Sequence, residues 1–232
     1  MVVIINRLAD TFATNAILKG GMELRLLDCP RFTNDLDYVF IPYASKKDIK
    51  DLVYRELKKI PNLDVSYSVN SKCIRYLVKY EAIHVQIEIN VALECKSQEL
   101  TTASLARLKN QPSKIIRVME LSSALAHKLA AWNERGLIRD LFDAYYLAVM
   151  LQVAPDKGVL LNRLAHTENR HGSGKKVPMS LNAFIEKLKA ESTRLNQKLI
   201  ENELRDYLSE NELPGIDKKI IGGIRRIIDV LQ

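Results

Sequence analysis

Asp35 and Asp37 stand one residue apart, a short helix downstream of the glycine pair Gly20-Gly21. On a strand, side chains alternate between faces, so Asp35 and Asp37 point the same way and Leu36 points into the core. Two carboxylates side by side repel each other unless a cation lies between them. Oxygen ligands of this kind suit Mg²⁺ or Mn²⁺. A turn without Cβ atoms that opens a helix is a natural seat for phosphate. The chemistry implied is metal-assisted work on a nucleoside triphosphate. Two divalent ions in such chemistry need about three carboxylates from neighbouring strands. Glu88 is the candidate third metal ligand, on the polar face of a later strand. No Ser-His-Asp or Cys-His arrangement competes. Of His84, His127, His166 and His171, no two have metal-ligand spacing on a shared helix.

These residues need elements to position them. Ile5 to Phe12 reads as a helix leading into a short apolar strand, Ala16 to Leu18. Gly20-Gly21 ends that strand, and Met22 to Leu27 reads as a short helix stopped by Pro30. Asp35 to Ile41 is strand-like. Lys46 to Lys59 places Ile49, Leu52, Val53 and Leu57 at helical spacing. Three strand-like runs follow: Leu63 to Val69, Ile74 to Lys79 and Ile83 to Val91. In the last, Ile83, Val85, Ile87, Ile89 and Val91 share one face, and His84, Gln86, Glu88 and Asn90 the other. From Glu120 the pattern is helical, with a Leu121, Leu125, Leu129 and Trp132 stripe, Gly136 as C-terminal cap, and a second helix over Leu137 to Leu151. Ala154 to Gly158 reads as a turn and Thr167 to Pro178 as a mobile loop. The loop's Gly172-Ser173-Gly174-Lys175-Lys176 lacks the spacing of a Walker motif. A long helix runs from Ser180 towards Ser209, Pro214-Gly215 breaks it, and Ile220 to Leu231 is a final amphipathic helix. The layout is an α/β half over residues 1–115 and a helical half over 116–232.

Composition narrows the class. At 232 residues and 47% apolar content, the chain can bury real cores. No stretch approaches a membrane span, and the N-terminus lacks the basic flank and cleavage site of a signal peptide. Cys29, Cys73 and Cys95 are too scattered for a disulfide framework or zinc site, and an odd count fits a reducing cytoplasm. The net charge of +7 is compatible with nucleic acid or nucleotide. The most lopsided stretch, Leu100 to Met119, carries Arg107, Lys109, Lys114 and Arg117 without an acid. It reads either as a solvated connector or as a phosphate-contacting surface.

Leu18-Lys19-Gly20-Gly21-Met22-Glu23-Leu24-Arg25-Leu26-Leu27, followed by Arg31-Phe32-Thr33-Asn34-Asp35-Leu36-Asp37-Tyr38, resembles the signature of the AbiEii/AbiGii toxin family of nucleotidyltransferases, within the DNA polymerase β-like superfamily. Glu88 in Val85-Gln86-Ile87-Glu88 matches the family's third motif, with Glu in place of the commoner Asp. His127-Lys128 to Arg135 and Arg139-Asp140 to Asp143 match the fourth. The four motifs run in order from Leu18 to about Leu147. Beyond Leu151 only a helical tail is evident.

The resemblance implies an α+β fold: a polymerase β-like nucleotidyltransferase domain with a mixed sheet, then a helical C-terminal domain. It implies a toxin of a bacterial toxin–antitoxin or phage-defence system, modifying RNA, the acceptor end of tRNA, at the expense of a nucleoside triphosphate with Mg²⁺ or Mn²⁺. Asp35, Asp37 and Glu88 then hold metal, and Glu88 helps deprotonate the attacking hydroxyl. Lys19, Gly20, Gly21, Arg31, Thr33 and Lys128 contact the nucleotide. Asp140 orients Lys128 or touches the nucleotide, while Asp143 is as readily an ordinary helix partner of Arg139. An antitoxin is the implied protein partner, and no membrane is involved. Two other functions stay open: transfer of a nucleotide to a protein hydroxyl, and a non-catalytic RNA- or protein-binding module on the same scaffold.

Overall fold

A computed structural model describes residues 1–167 and 177–232. The glycine-lysine run over residues 172–176 and His171 lie outside the described residues. The chain divides into two compact units, Met1–Glu120 and Leu121–Gln232.

The first unit begins with helix α1 (Val2–Phe12), whose Val2, Ile4, Ile5 and Leu8 are buried. Strand β1 (Ala16–Lys19) runs into the short helix α2 (Gly20–Leu26), which starts on the glycines themselves. Strand β2 (Asp35–Phe40), helix α3 (Lys50–Lys58), and strands β3 (Asp64–Val69), β4 (Ile74–Tyr80) and β5 (Ile83–Val91) follow. Strand β6 (Ser97–Thr101), helix α4 (Ala103–Arg107) and strand β7 (Ile115–Met119) complete the unit. The seven strands form one mixed sheet in the order β3-β4-β5-β2-β1-β7-β6. β1 lies antiparallel to β2 and parallel to β7, and β2 lies parallel to β5. Apolar residues at alternating positions, Leu18, Leu36, Tyr38, Phe40, Ile87 and Ile89 among them, are buried with α1 and α3 in one core. This alternation fixes the pairing, because a one-residue slip would turn each strand's apolar set away from that core.

The basic stretch Leu100 to Met119 is therefore not a solvated connector. β7 pairs with Ile17 and Leu18 in the middle of the sheet. β6 and β7 pair with each other, with Glu99 opposite Arg117.

The second unit is helical: α5 (Leu121–Arg135), α6 (Ile138–Tyr145) passing into a π-helical segment at Tyr146–Met150, α7 (Lys157–Ala165), α8 (Leu181–Arg194), α9 (Gln197–Leu204) and α10 (Ile216–Leu231). The expected turn over 154–158 is the start of α7, capped by the Asp156 carboxylate accepting from the Val159 N–H at 3.0 Å. The expected long helix from Ser180 breaks at Leu195, which is extended, and restarts where Asn196 accepts from the Leu199 N–H. No described helix is long and apolar enough to cross a membrane.

Candidate active site

The register of four strands draws the acidic residues into one row. Lys19 lies opposite Asp37, Asp37 opposite Glu88, and Glu88 opposite Arg75. Asp35 and Gln86 face each other one step along the same side. Residues paired in this way share a face, and it is the face away from Leu18, Leu36 and Ile87, all buried. Two neighbouring parallel strands thus carry three carboxylates, with a cation at each end of the row.

The glycine turn closes on this row. Gly20 sits at φ +79°, where a side chain is strained, and a Cβ there would overlap Asp37 Oδ2. A Cβ on Gly21 would meet Arg31 Nη2 at 2.6 Å and Thr33 Oγ1 at 3.2 Å. Both glycines are needed for the turn to approach the acid and the basic loop. Thr33 Oγ1 accepts from the Asp35 N–H at 3.2 Å and so fixes the entry to β2. Arg31 is buried, and its Nη1 donates to the Phe32 carbonyl at 3.3 Å.

Glu88 has close partners of its own. Its Oε1 accepts from Arg75 Nη2 at 2.7 Å, Arg75 Nε at 3.1 Å and Gln86 Nε2 at 3.0 Å. This hydrogen-bonded ion pair raises the Arg75 pKa above its ordinary value. Among the described residues, no three His, Cys, Asp or Glu side chains are gathered in metal-holding geometry. The donor set nevertheless fits a hard divalent ion. It is all carboxylate oxygen, from adjacent positions on one face, with the Gly20 backbone packed close against Asp37. Hydrogen bonds to one oxygen of a ligating carboxylate are the usual means of orienting the other.

Lys128 and Asp140 belong to the second unit. Lys128 Nζ donates to Asp143 Oδ2 at 2.6 Å, with Asp143 fully buried. Asp140, also buried, is held by Arg135, whose Nε and Nη2 donate to its two oxygens at 2.6 Å each. The residue that orients Lys128 is therefore Asp143. Arg139 does not form the i, i+4 helix pair; it donates to the Tyr207 hydroxyl at 2.7 Å and lies over that ring.

The family model for the nucleotidyl transferase AbiEii toxin of type IV toxin–antitoxin systems matches residues 4–220. The chain belongs to the AbiEii nucleotidyltransferase toxin family. MenT4, a nucleotidyltransferase toxin from Mycobacterium tuberculosis, shares the AbiEii chain's fold at TM-score 0.62 and 15% identity, over 97% of this chain and 80% of that one. JHP933 from Helicobacter pylori aligns at TM-score 0.50 and 17% identity, over 100% of this chain and 87% of that one. No curated protein matches the sequence. The α+β fold expected of an AbiEii protein, a mixed sheet followed by helices, is the one observed.

Sequence reasoning missed two residues in this AbiEii chain, Arg75 and Gln86, and read Asp143 as readily as an ordinary helix partner of Arg139. Gln86 was legible in principle, since it lies two positions from Glu88 on an alternating strand. Arg75 became apparent only once β4 paired with β5, and the pairing of Asp143 with Lys128 only once α5 packed with α6.

Proposed function

We propose that this AbiEii protein moves a nucleoside monophosphate from a nucleoside triphosphate to the 3′ hydroxyl of an RNA, the acceptor end of a tRNA. The observation that carries the reading is the closure of Gly20 onto Asp37, with Glu88 next to Asp37 in register. A glycine turn whose backbone comes up against the acids and three carboxylates on one sheet face are the parts such a transfer requires.

Asp35, Asp37 and Glu88 would hold Mg²⁺ or Mn²⁺, which when bound supplies positive charge to the phosphate oxygens and acidifies the attacking hydroxyl. The chain's own residues do the rest. The N–H groups of the Gly20-Gly21 turn, together with Lys19, Arg31 and Thr33, steady the triphosphate. Glu88 Oε2, which accepts no hydrogen bond among the described residues, takes the proton of the hydroxyl. The hydroxyl oxygen bonds to the α-phosphorus, the bond from that phosphorus to the bridging oxygen breaks, and pyrophosphate leaves with the electron pair. Lys128, set by buried Asp143, offsets phosphate charge.

The excess of seven positive charges supports a polyanionic acceptor. Of the four cations in the 100–119 segment, Lys114 is engaged by Asp10 and Arg117 lies opposite Glu99, which leaves Arg107 and Lys109 as exposed candidates for contact. A cognate antitoxin follows from the family's toxin–antitoxin setting.

The test is incubation with each labelled nucleoside triphosphate, Mg²⁺ and total RNA, for wild type, Asp35→Asn and Asp37→Asn. Label should enter RNA with wild type only. Label on protein instead would make a protein hydroxyl the acceptor. Equal labelling by the two variants would end the catalytic assignment.

A further inference from the structure

Helix α10 carries two adjacent glycines with different surroundings. Gly223 is buried, and a Cβ there would lie 2.9 Å from Tyr145 Cβ, so close packing on α6 requires it. Gly222 has no such reason. It is exposed, its φ is not positive, and a Cβ there would meet nothing within 4 Å. A glycine inside an exposed helix weakens that helix relative to alanine. Its packing within the chain gives nothing in return.

The neighbours of Gly222 on the helix surface are the residues three and four positions away. These are Lys218, Lys219, Arg225 and Arg226. All four are exposed, and none of their side chains makes a hydrogen bond or ion pair among the described residues. Several cations elsewhere on this fold are paired, as Arg7 is with Glu56, Lys114 with Asp10, Arg163 with Glu134 and Arg194 with Glu191. A patch of bare backbone ringed by four unpaired cations is thus built into one helix face. Lys218 to Arg225, and Lys219 to Arg226, each span about 10 Å along the axis.

We propose that this ring is a docking cradle for the sugar–phosphate backbone of RNA, with Gly222 allowing the strand to lie directly against the helix. It rests on the reading of RNA as acceptor given above and adds where the RNA is held. Charge complementarity selects the occupant. A protein-binding patch has an apolar centre from which charge is depleted. Here the centre is backbone and the surround is cationic, the character of a nucleic-acid contact. The open shape gives no walls for a single nucleotide.

The experiment is titration of labelled tRNA with the full chain across a salt series, for wild type, Lys218→Glu/Arg225→Glu and Gly222→Leu, with thermal melts alongside. The charge reversals should weaken binding at least ten-fold at low salt. They should also flatten the slope of log Kd against log salt by about 1.5. Gly222→Leu should melt higher than wild type, because leucine favours helix, yet bind tRNA more weakly. That opposite movement separates contact from stability. Wild-type affinity and slope in both variants would overturn the cradle and leave the RNA acceptor standing. Failure of wild type to bind tRNA would overturn both. Loss of an acidic protein partner by these variants, with tRNA binding unchanged, would overturn the assignment to RNA.

Discussion

Lys128 and Asp143 form an ion pair of 2.6 Å in which the acid is fully buried and only 15% of the lysine side chain is exposed. An ordinary surface lysine on a helix would have neither property. Removing one partner of such a pair leaves a desolvated charge behind. Lys128→Ala should therefore cost about 3 kcal/mol of folding stability, read as a lower urea midpoint, in addition to any loss of transfer. An unchanged midpoint would show that Asp143 is satisfied without the lysine.

Gly20→Ala tests the closure of the turn on the acid. The new methyl would overlap Asp37 Oδ2 at a backbone angle of +79°. The left-handed conformation alone costs about 1–2 kcal/mol. We expect nucleotidyl transfer to be lost while far-UV circular dichroism stays native. Activity within two-fold of wild type would mean that the turn has room to move, and the phosphate seat would have to be placed elsewhere.

Arg75→Gln keeps a hydrogen-bond donor beside Glu88 but removes a positive charge from the row. Like charge near a divalent ion opposes its binding by about 1 kcal/mol or more even in a watery setting. The variant should bind Mn²⁺ several-fold more tightly, measured by the free-ion electron paramagnetic resonance signal with no nucleotide present. Weaker binding would show instead that the guanidinium's hold on Oε1 matters more than its charge.

Tyr38 points its hydroxyl into the core of the first unit, where it makes no hydrogen bond among the described residues. Burial pushes its pKa far above the ordinary tyrosine value. An unsatisfied buried polar group costs about 1–3 kcal/mol. Tyr38→Phe should be neutral or stabilising in chemical denaturation. A loss of more than about 1 kcal/mol would reveal a partner for the hydroxyl.

Glu56 receives hydrogen bonds from Lys59, Thr11 and Arg7, with Lys59 the largest cause of a pKa held below the usual glutamate range. A depressed carboxylate adds stability that is present above its unfolded pKa and is lost as pH falls through the folded one. Wild type should lose stability faster than Glu56→Gln across the acid side of the glutamate range. Parallel curves would show that the bonds are exchanged for water without gain.

The sequence carried strand β5 to the residue, Ile83 to Val91, because its alternation is long and clean. Ile83 is nevertheless largely exposed: it pairs with Tyr80 at the hairpin end, beyond the reach of the core. β6 and β7 escaped notice for the opposite reason. Ile115 to Met119 is short and interrupted by Arg117, and pairing with β6 on one side and with distant Ile17 and Leu18 on the other makes it a strand. The Gly20, Asp35, Asp37 and Glu88 arrangement was legible since turn chemistry and strand parity are local properties. Which helical acid meets Lys128 was not, because Asp140 and Asp143 lie on neighbouring turns of α6, and packing against α5 decides between them.

The parity of β2 and β5 ties toxicity to correct folding. Asp35, Asp37 and Glu88 reach solvent only because Leu36 and Ile87 are inside. In a sheet whose strands were displaced by a single position, the acids would be driven into oil and the leucine turned out to water. If these acids carry the transfer proposed above, a misthreaded copy would not present that chemistry. On that assignment, a cell producing this protein would meet its action only from molecules that have finished folding.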